Sequence, residues 1–323
     1  MTQKKTKQLK STRDAFGEVM VELGKKNSEI AVISADLDSS TRVKDFAEKF
    51  PERFIQVGVA EQNMASVAAG MALAGKTPFM TSFGVFSPGK NWDQIRIGIC
   101  YNKANVKIVS THTGLTVGKD GATHQALEDI ALMKVLPNMT ILSPTDAKET
   151  KEAIKEALSI KGPVYIRLTR AETPLLKDLT KSPKKFKLGK VHVLEEGEKV
   201  ALVSTGVITL EGLEAAQEIN AKYPKSIKVI SAPTIKPLNK NSLTKALKGI
   251  QKVVTLEEHQ ISGGFGSAIC EILSEEGIRK PKKITRMGMQ DTFGESGSYK
   301  NLKKKYKLDK ESIREKLLEE LGT

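Results

Sequence analysis

Short, wholly apolar runs alternate with longer stretches of helical period along almost the entire chain, and this alternation leaves few folds open. An apolar run of five or six residues between polar clusters is suited to burial on both faces, as in a parallel sheet covered by helices on each side. The pattern predicts α/β architecture with mostly parallel sheets. An amphipathic helix is expected from Thr12 to Lys25, followed by a buried strand from Ile30 to Ala35 that stops at Asp36. Further strands are expected near 53–59, 77–83, 106–111, 139–143 and 163–168, with helices at 61–74, 91–102, 124–136 and 146–160. A second series follows, with strands at 200–205, 227–231, 252–256 and 283–287 and helices at 209–222, 241–248, 265–276 and 311–321.

Between the two series, residues 176–190 are polar, basic and contain a proline, which reads as a linker. The expected division is a flexible basic tail over 1–11, a first domain over 12–175, and a second over 191–323. A chain of 323 residues suits two domains of ordinary size. The two cysteines, Cys100 and Cys270, exclude a disulfide framework and a cysteine-based zinc site. No stretch reaches the roughly 18–20 unbroken apolar residues of a membrane helix. The basic N-terminal stretch lacks the apolar segment of a signal peptide, so the chain reads as cytoplasmic with no membrane partner. A net charge of +14 draws anions, but the lysines are spread throughout and aromatics make up 5%. Without a stacking platform or a nucleic-acid-binding motif, this charge reads as a solvated surface compatible with phosphorylated substrates, with no nucleic-acid partner.

Polar residues collect at four strand ends, where open α/β sheets bind ligands. The first is Asp36 to Thr41, which read alone is an N-cap cluster for the next helix. In the second, Glu61 opens a helix rich in alanine and glycine. It is either an acid complementing the helix dipole or a lone carboxylate placed to bond a heterocyclic nitrogen. That helix's small residues allow close approach of a neighbour, inside the subunit or across a dimer contact. Phe83 and Phe86 form the third, as core packing or as a flat slot for a ring. The loop from His112 to His124 is the fourth, and it is the most telling. Two of the chain's four histidines and Asp120 stand in thirteen glycine-rich residues, which favours a site over a structural connection. A zinc reading of the two histidines lacks a third ligand at usual spacing.

Taken together, the Glu61 segment, Phe83 and Phe86, and the loop ending in Asp120-Gly121-Ala122-Thr123-His124-Gln125 resemble the transketolase family. Residues 12 to 175 resemble its pyrimidine-binding domain, and 190 to 323, with Phe293-Gly294-Glu295-Ser296-Gly297, its C-terminal domain. The resemblance implies two consecutive three-layer α/β domains and thiamine diphosphate as cofactor. It implies that Glu61 bonds the pyrimidine ring, that Phe83 and Phe86 pack on it, and that Asp36 lies beside the thiazolium. It also implies that His112, Asp120 and His124 bind sugar oxygens, with the two histidines acting as donors or proton shuttles. Ser40 and Arg170 would grip the substrate phosphate, a task suited to the planar fork of arginine.

The family's diphosphate and metal site uses a Gly-Asp-Gly sequence followed by paired asparagines, and this chain has no Gly-Asp-Gly. The resemblance is therefore to the second half of a split transketolase. Its N-terminal partner subunit would supply the diphosphate-binding domain and most ligands of Mg²⁺, with no metal ligand from this chain. The implied assembly is a heterotetramer built on a homodimer of this chain, and the implied reaction moves a two-carbon ketol unit between sugar phosphates. Two departures stand out: Gln62-Asn63 follows the glutamate where a histidine is usual, and Pro88-Gly89 replaces a further aromatic near Trp92. Alternatives are a deoxyxylulose-phosphate-synthase-like reaction, the β subunit of a 2-oxoacid dehydrogenase, or a non-catalytic binding partner. Gly263-Gly264-Phe265-Gly266 lacks the third glycine of a dinucleotide fingerprint and reads as a helix-start turn.

Overall fold

A computed structural model describes residues 8–180, 185–275, 281 and 283–322. The strands are β1 (Leu9–Ser11), β2 (Ile30–Ser34), β3 (Phe54–Gln56), β4 (Thr77–Phe83), β5 (Lys107–Thr111), β6 (Thr140–Leu142) and β7 (Val164–Arg167). They continue as β8 (Glu172–Pro174), β9 (His192–Glu195), β10 (Val200–Ser204), β11 (Ile227–Ser231), β12 (Thr234–Lys236), β13 (Lys252–Gln260) and β14 (Lys283–Met289). The helices are α1 (Thr12–Lys26), α2 (Asp38–Thr41), α3 (Lys44–Lys49), α4 (Glu61–Leu73), α5 (Trp92–Gln94) and α6 (Asp129–Lys134). Then come α7 (Ala147–Ser159), α8 (Thr209–Lys222), α9 (Lys240–Ala246), α10 (Phe265–Ser274), α11 (Tyr299–Lys305) and α12 (Lys310–Leu321).

Two main sheets result. One has seven strands in the order β12-β6-β7-β5-β4-β2-β3 and the other five in the order β14-β13-β10-β11-β9. Within each, all pairings are parallel except the edge pairs β12 with β6 and β9 with β11. The central strands β2 and β10 are buried at every position, as their unbroken apolar runs require. Helices α1, α3 and α7 cover one face of the larger sheet, with Phe16, Phe46, Phe79 and Ile154 in that layer. Its other face lies under α4, and a single apolar cluster runs from Met64 and Ala68 through to Val203 of the second sheet and Ile269 of α10.

Helix α1 starts where Ser11 accepts the Asp14 N–H at 3.1 Å, and it ends with Lys25 and Lys26, both favourable to the helix dipole. Gly17 on this helix has a steric reason: a Cβ there would stand 2.2 Å from the Arg42 carbonyl oxygen. The expected 91–102 helix is α5 continued by a π-helical turn over Ile95–Tyr101, and the expected 124–136 helix shortens to α6.

Three expectations change. The basic tail does not extend to residue 11, because Leu9–Ser11 pairs antiparallel with Glu172–Pro174, and residues 1–7 lie outside the described set. The 176–190 segment is tied down on both sides of residues 181–184, which are not described. Leu176 and Phe186 are buried, and the Phe186 N–H donates to Glu152 Oε2 at 2.8 Å. Finally, β12 follows β11 in the chain yet pairs with β6, so a strand from the second half completes the first sheet.

Candidate functional site

The carboxyl ends of β3, β2, β4, β5 and β7 lie side by side, and every residue singled out in the sequence follows one of them. Asp36 and Ser40 follow β2, Glu61 follows β3, Phe83 closes β4, the histidine loop follows β5 and Arg170 follows β7. Parallel pairing places these ends on one rim, the ligand-binding edge of open α/β sheets.

Phe83 and Phe86 stack with ring centroids 6.0 Å apart and planes 15° apart. His112 lies on Phe83 at 3.7 Å between centroids, and His124 meets Phe86 edge-on at 5.5 Å. The four rings form one aromatic wall. His112 sits at φ +56°, a left-handed backbone unusual for a non-glycine residue, so its neighbours hold it in place.

The protonation of His112 follows from its partners. Arg13 Nη1 lies 3.1 Å from His112 Nε2, and a guanidinium can only donate, so Nε2 accepts and the ring proton sits on Nδ1. Nδ1 is 2.8 Å from Thr111 Oγ1, which accepts that proton. Burial, reinforced by Arg13, Arg170 and Arg42, pushes the His112 pKa down to about 3. In this structure the lone pair of His112 Nε2 is used by Arg13. His124 differs: its Nδ1 is 2.9 Å from Thr123 Oγ1, and the residue is half-buried.

A neutral buried histidine has a stability consequence. The unfolded chain binds a proton at this residue below pH ~6.5, whereas the folded chain does so only below about 3. Stability from this group is therefore present above pH ~6.5 and is lost as pH falls towards 3, at up to about 1.4 kcal/mol per pH unit. In urea unfolding followed across that window, His112→Asn is expected to flatten the acid-side loss. An unchanged slope would contradict the assignment.

Arg13 was missed at the sequence level, where it looked like part of a basic tail. It also donates from Nη1 to the Ser40 carbonyl at 3.0 Å, while its buried Nε has no hydrogen-bond partner. Burial and the neighbouring Arg42 lower its pKa, with Arg170 contributing further. Three guanidinium groups thus act on one spot, an arrangement suited to an oxyanion. A signal was available: a cation in the first turn of a helix opposes the dipole, so it calls for another reason. Arg170 Nη1 donates to the Val117 carbonyl at 2.7 Å and to Asp120 Oδ2 at 3.2 Å, which brings those two expected residues together.

Glu61 is the first residue of α4 and is buried. Lys90 Nζ donates to Glu61 Oε2 at 2.7 Å, and Asn91 Nδ2 donates to the Glu61 carbonyl at 3.0 Å. Both partners come from the turn after Phe86, and nothing in that stretch of sequence pointed to them. The Trp92 indole N–H donates to the Leu132 carbonyl at 2.8 Å. Asp36, at φ +62°, is exposed, and its N–H donates to Gln56 Oε1 at 2.7 Å. Among the described residues, no group of three or more His, Cys, Asp or Glu side chains could hold a metal ion.

The second sheet braces the histidine loop. Gln125 Nε2 donates to the Glu295 carbonyl at 2.9 Å, and Ser296 Oγ donates to the Lys119 carbonyl at 2.6 Å. The glycine-rich turn at 263–266 opens α10, where the Phe265 and Gly266 amides donate to Glu257 at 2.6 and 2.8 Å. Burial nevertheless pushes Glu257 up to about 7.

The transketolase pyrimidine-binding domain model matches residues 8–174, and the transketolase C-terminal domain model matches 189–313. The chain belongs to the transketolase family. A transketolase C-terminal section from Methanocaldococcus jannaschii is 43% identical over 97% of this chain and 96% of that protein. A 6-deoxy-6-sulfo-D-fructose transketolase subunit from a Clostridium species is 36% identical over 93% of this chain and 91% of its own length. A solved structure described as a split gene transketolase, inactive beta4 tetramer, superposes with a TM-score of 0.86. It is 43% identical and covers 97% of this chain and 98% of that one. This transketolase-family chain thus carries the pyrimidine-binding and C-terminal domains of a thiamine-diphosphate-dependent family, and the relatives it matches over nearly their full length include a transketolase C-terminal section and a transketolase subunit. None of its described helices is long and apolar enough to cross a membrane.

Proposed function

We propose that this chain is one subunit of a thiamine-diphosphate-dependent transketolase that moves a two-carbon ketol unit between sugar phosphates. The observation that carries the reading is the rim itself. A buried carboxylate, a stacked aromatic pair and Arg170 follow adjacent parallel strands, and Arg13 of α1 and Arg42 act with Arg170 on His112. These residues fit the cofactor's pyrimidine half: Glu61 offers an acceptor for a ring nitrogen, and Phe83 and Phe86 offer an apolar face. Thiamine diphosphate, when bound, supplies carbanion chemistry at its thiazolium carbon; the protein supplies position and charge.

Glu61 would hold the proton relation with the pyrimidine ring. His124, backed by Thr123, is the proton donor we assign to the sugar carbonyl oxygen, since the Nε2 of His112 is already engaged by Arg13. His112 instead orients Arg13, and Asp36 borders the thiazolium side. Asp120, steered by Arg170, reads a sugar hydroxyl, and Arg13, Arg170 and Ser40 receive the phosphate.

A partner subunit would contribute the diphosphate-binding domain and the ligands of Mg²⁺. The similarity to split-gene subunits supports this, as does the inactive state named for the homotetrameric relative. Val59 and Leu73 beside and on α4, with Ile97 and Tyr101 on the adjacent π-helical turn, are exposed apolar residues suited to such an interface. In that assembly, two copies of this chain would pair within a heterotetramer.

The test is to mix this chain with a chain carrying the diphosphate-binding half, thiamine diphosphate and Mg²⁺, and to assay xylulose 5-phosphate against pyruvate. Transfer from the ketose phosphate is expected. Pyruvate consumption would shift the reading to a deoxyxylulose-phosphate-synthase-like enzyme or a 2-oxoacid dehydrogenase subunit. Absence of cofactor binding by the mixture would leave a non-catalytic binding role.

A further inference from the structure

The turn after Phe86 is built to deliver Lys90 to Glu61. The Phe86 N–H donates to the Phe83 carbonyl at 3.0 Å, and the Lys90 N–H donates to the Phe86 carbonyl at 2.9 Å. Gly89 lies so close to Val85 that a Cβ would stand 2.1 Å from its carbonyl oxygen. Asn91 Nδ2 reaches both the Glu61 carbonyl and Ser87 Oγ, at 3.0 and 3.3 Å. Two consecutive residues of one turn therefore grip one residue of α4, Lys90 by its carboxylate and Asn91 by its backbone. The burial is asymmetric: the Glu61 side chain is 2% exposed and that of Lys90 42% exposed. The lysine approaches the acid from the open side.

We infer that Lys90 is a positioning residue that holds the Glu61 carboxylate by Oε2 and leaves Oε1 to face a ring N–H of the bound cofactor. The inference rests on the thiamine-diphosphate reading above. A charge-assisted hydrogen bond adds directional hold as well as energy, so the lysine fixes which way the carboxylate faces. With Lys90 in place, one oxygen of Glu61 is fixed and the other is aimed at the ligand as an acceptor. Without it, the carboxylate is free to turn in its site, and either oxygen can meet the ring. No atom is gained or lost, and one hydrogen bond exists in both cases. Loss of Lys90 should therefore leave affinity nearly intact while loosening the geometry on which the relay depends.

The experiment uses the chain paired with its partner subunit, in wild-type form and as Lys90→Met, Lys90→Gln, Lys90→Arg and Glu61→Gln. Thiamine diphosphate affinity is measured by fluorescence titration, and exchange of the cofactor's C2 proton is followed in D₂O by quenched NMR across pH. Lys90→Met and Lys90→Gln are expected to bind within a few-fold of wild type. At neutral pH they should exchange about tenfold more slowly, the cost of a loosely held acceptor. Lys90→Arg should restore the wild-type profile. If Glu61→Gln abolishes exchange while Lys90→Met and Lys90→Gln keep the wild-type profile, the inference about Lys90 fails and the cofactor reading stands. If the wild-type pair does not bind thiamine diphosphate, or Glu61→Gln exchanges normally, the cofactor reading fails and the inference falls with it.

Discussion

Glu61→Ala is expected to lower turnover of the paired subunits by about 10²- to 10⁴-fold, the range for loss of a positioned acid–base group. The chain itself should remain folded. The carboxylate's one charged partner, Lys90, is 42% exposed and stays hydrated when the acid is removed. The bond from Asn91 goes to the Glu61 backbone carbonyl and survives the substitution. What α4 loses is one acid in its first turn, worth roughly 0.3–1 kcal/mol. Activity and stability should therefore separate cleanly. Steady-state turnover with a ketose phosphate donor, alongside the thermal unfolding midpoint, gives both numbers. Turnover within about threefold of wild type would exclude Glu61 from the chemistry, since acid–base contributions are far larger than that.

The opposite separation is expected at Arg167. Its Nε donates to Asp129 Oδ2 at 2.8 Å and its Nη2 to the Glu258 carbonyl at 2.8 Å, while Tyr165 OH shares the same Asp129 oxygen at 2.8 Å. Arg167 and Asp129 side chains are 4% and 1% exposed. Removing one partner strands the other charge in the interior, which costs about 3–5 kcal/mol. That is a large share of the roughly 5–15 kcal/mol that holds a domain folded. Arg167→Met and Asp129→Leu are each expected to lose this much in urea unfolding. The double variant should lose less than the sum of the two, because neither charge is then left alone. Additive losses, or single losses below about 1 kcal/mol, would mean that the pair is not the buried bridge described. Because the Glu258 carbonyl belongs to β13, the same bridge ties the larger sheet to the smaller one.

The strand ends were legible in the sequence because parallel α/β strands announce themselves by unbroken apolar runs. Glu61, Phe83, Phe86, His112, Asp120, His124 and Arg170 could each be read from a break in such a run. Arg13 and Lys90 could not be read in the same way. One lies in a helix's first turn amid a basic stretch, and the other in a short turn with no periodicity. Each has its position only because a distant segment folds against it: β5 delivers His112 to Arg13, and α4 delivers Glu61 to Lys90. The ring contacts of His112 were not legible for the same reason. A histidine's tautomer depends on what faces each ring nitrogen, and that neighbour lies 99 positions away.

By itself the amino-acid order determined the α/β class, the two successive units and the strand ends where polar residues gather. Those are local properties, set by which residues must leave water and by the period at which they recur. Only the tertiary structure decided the strand order that puts five of those ends on one rim, the return of β12 to the first sheet, and the partners of Glu61 and His112. Hydrogen bonds and ion pairs act over a few ångströms of space without regard to separation along the chain, so a residue's charge state depends on packing that no local pattern records.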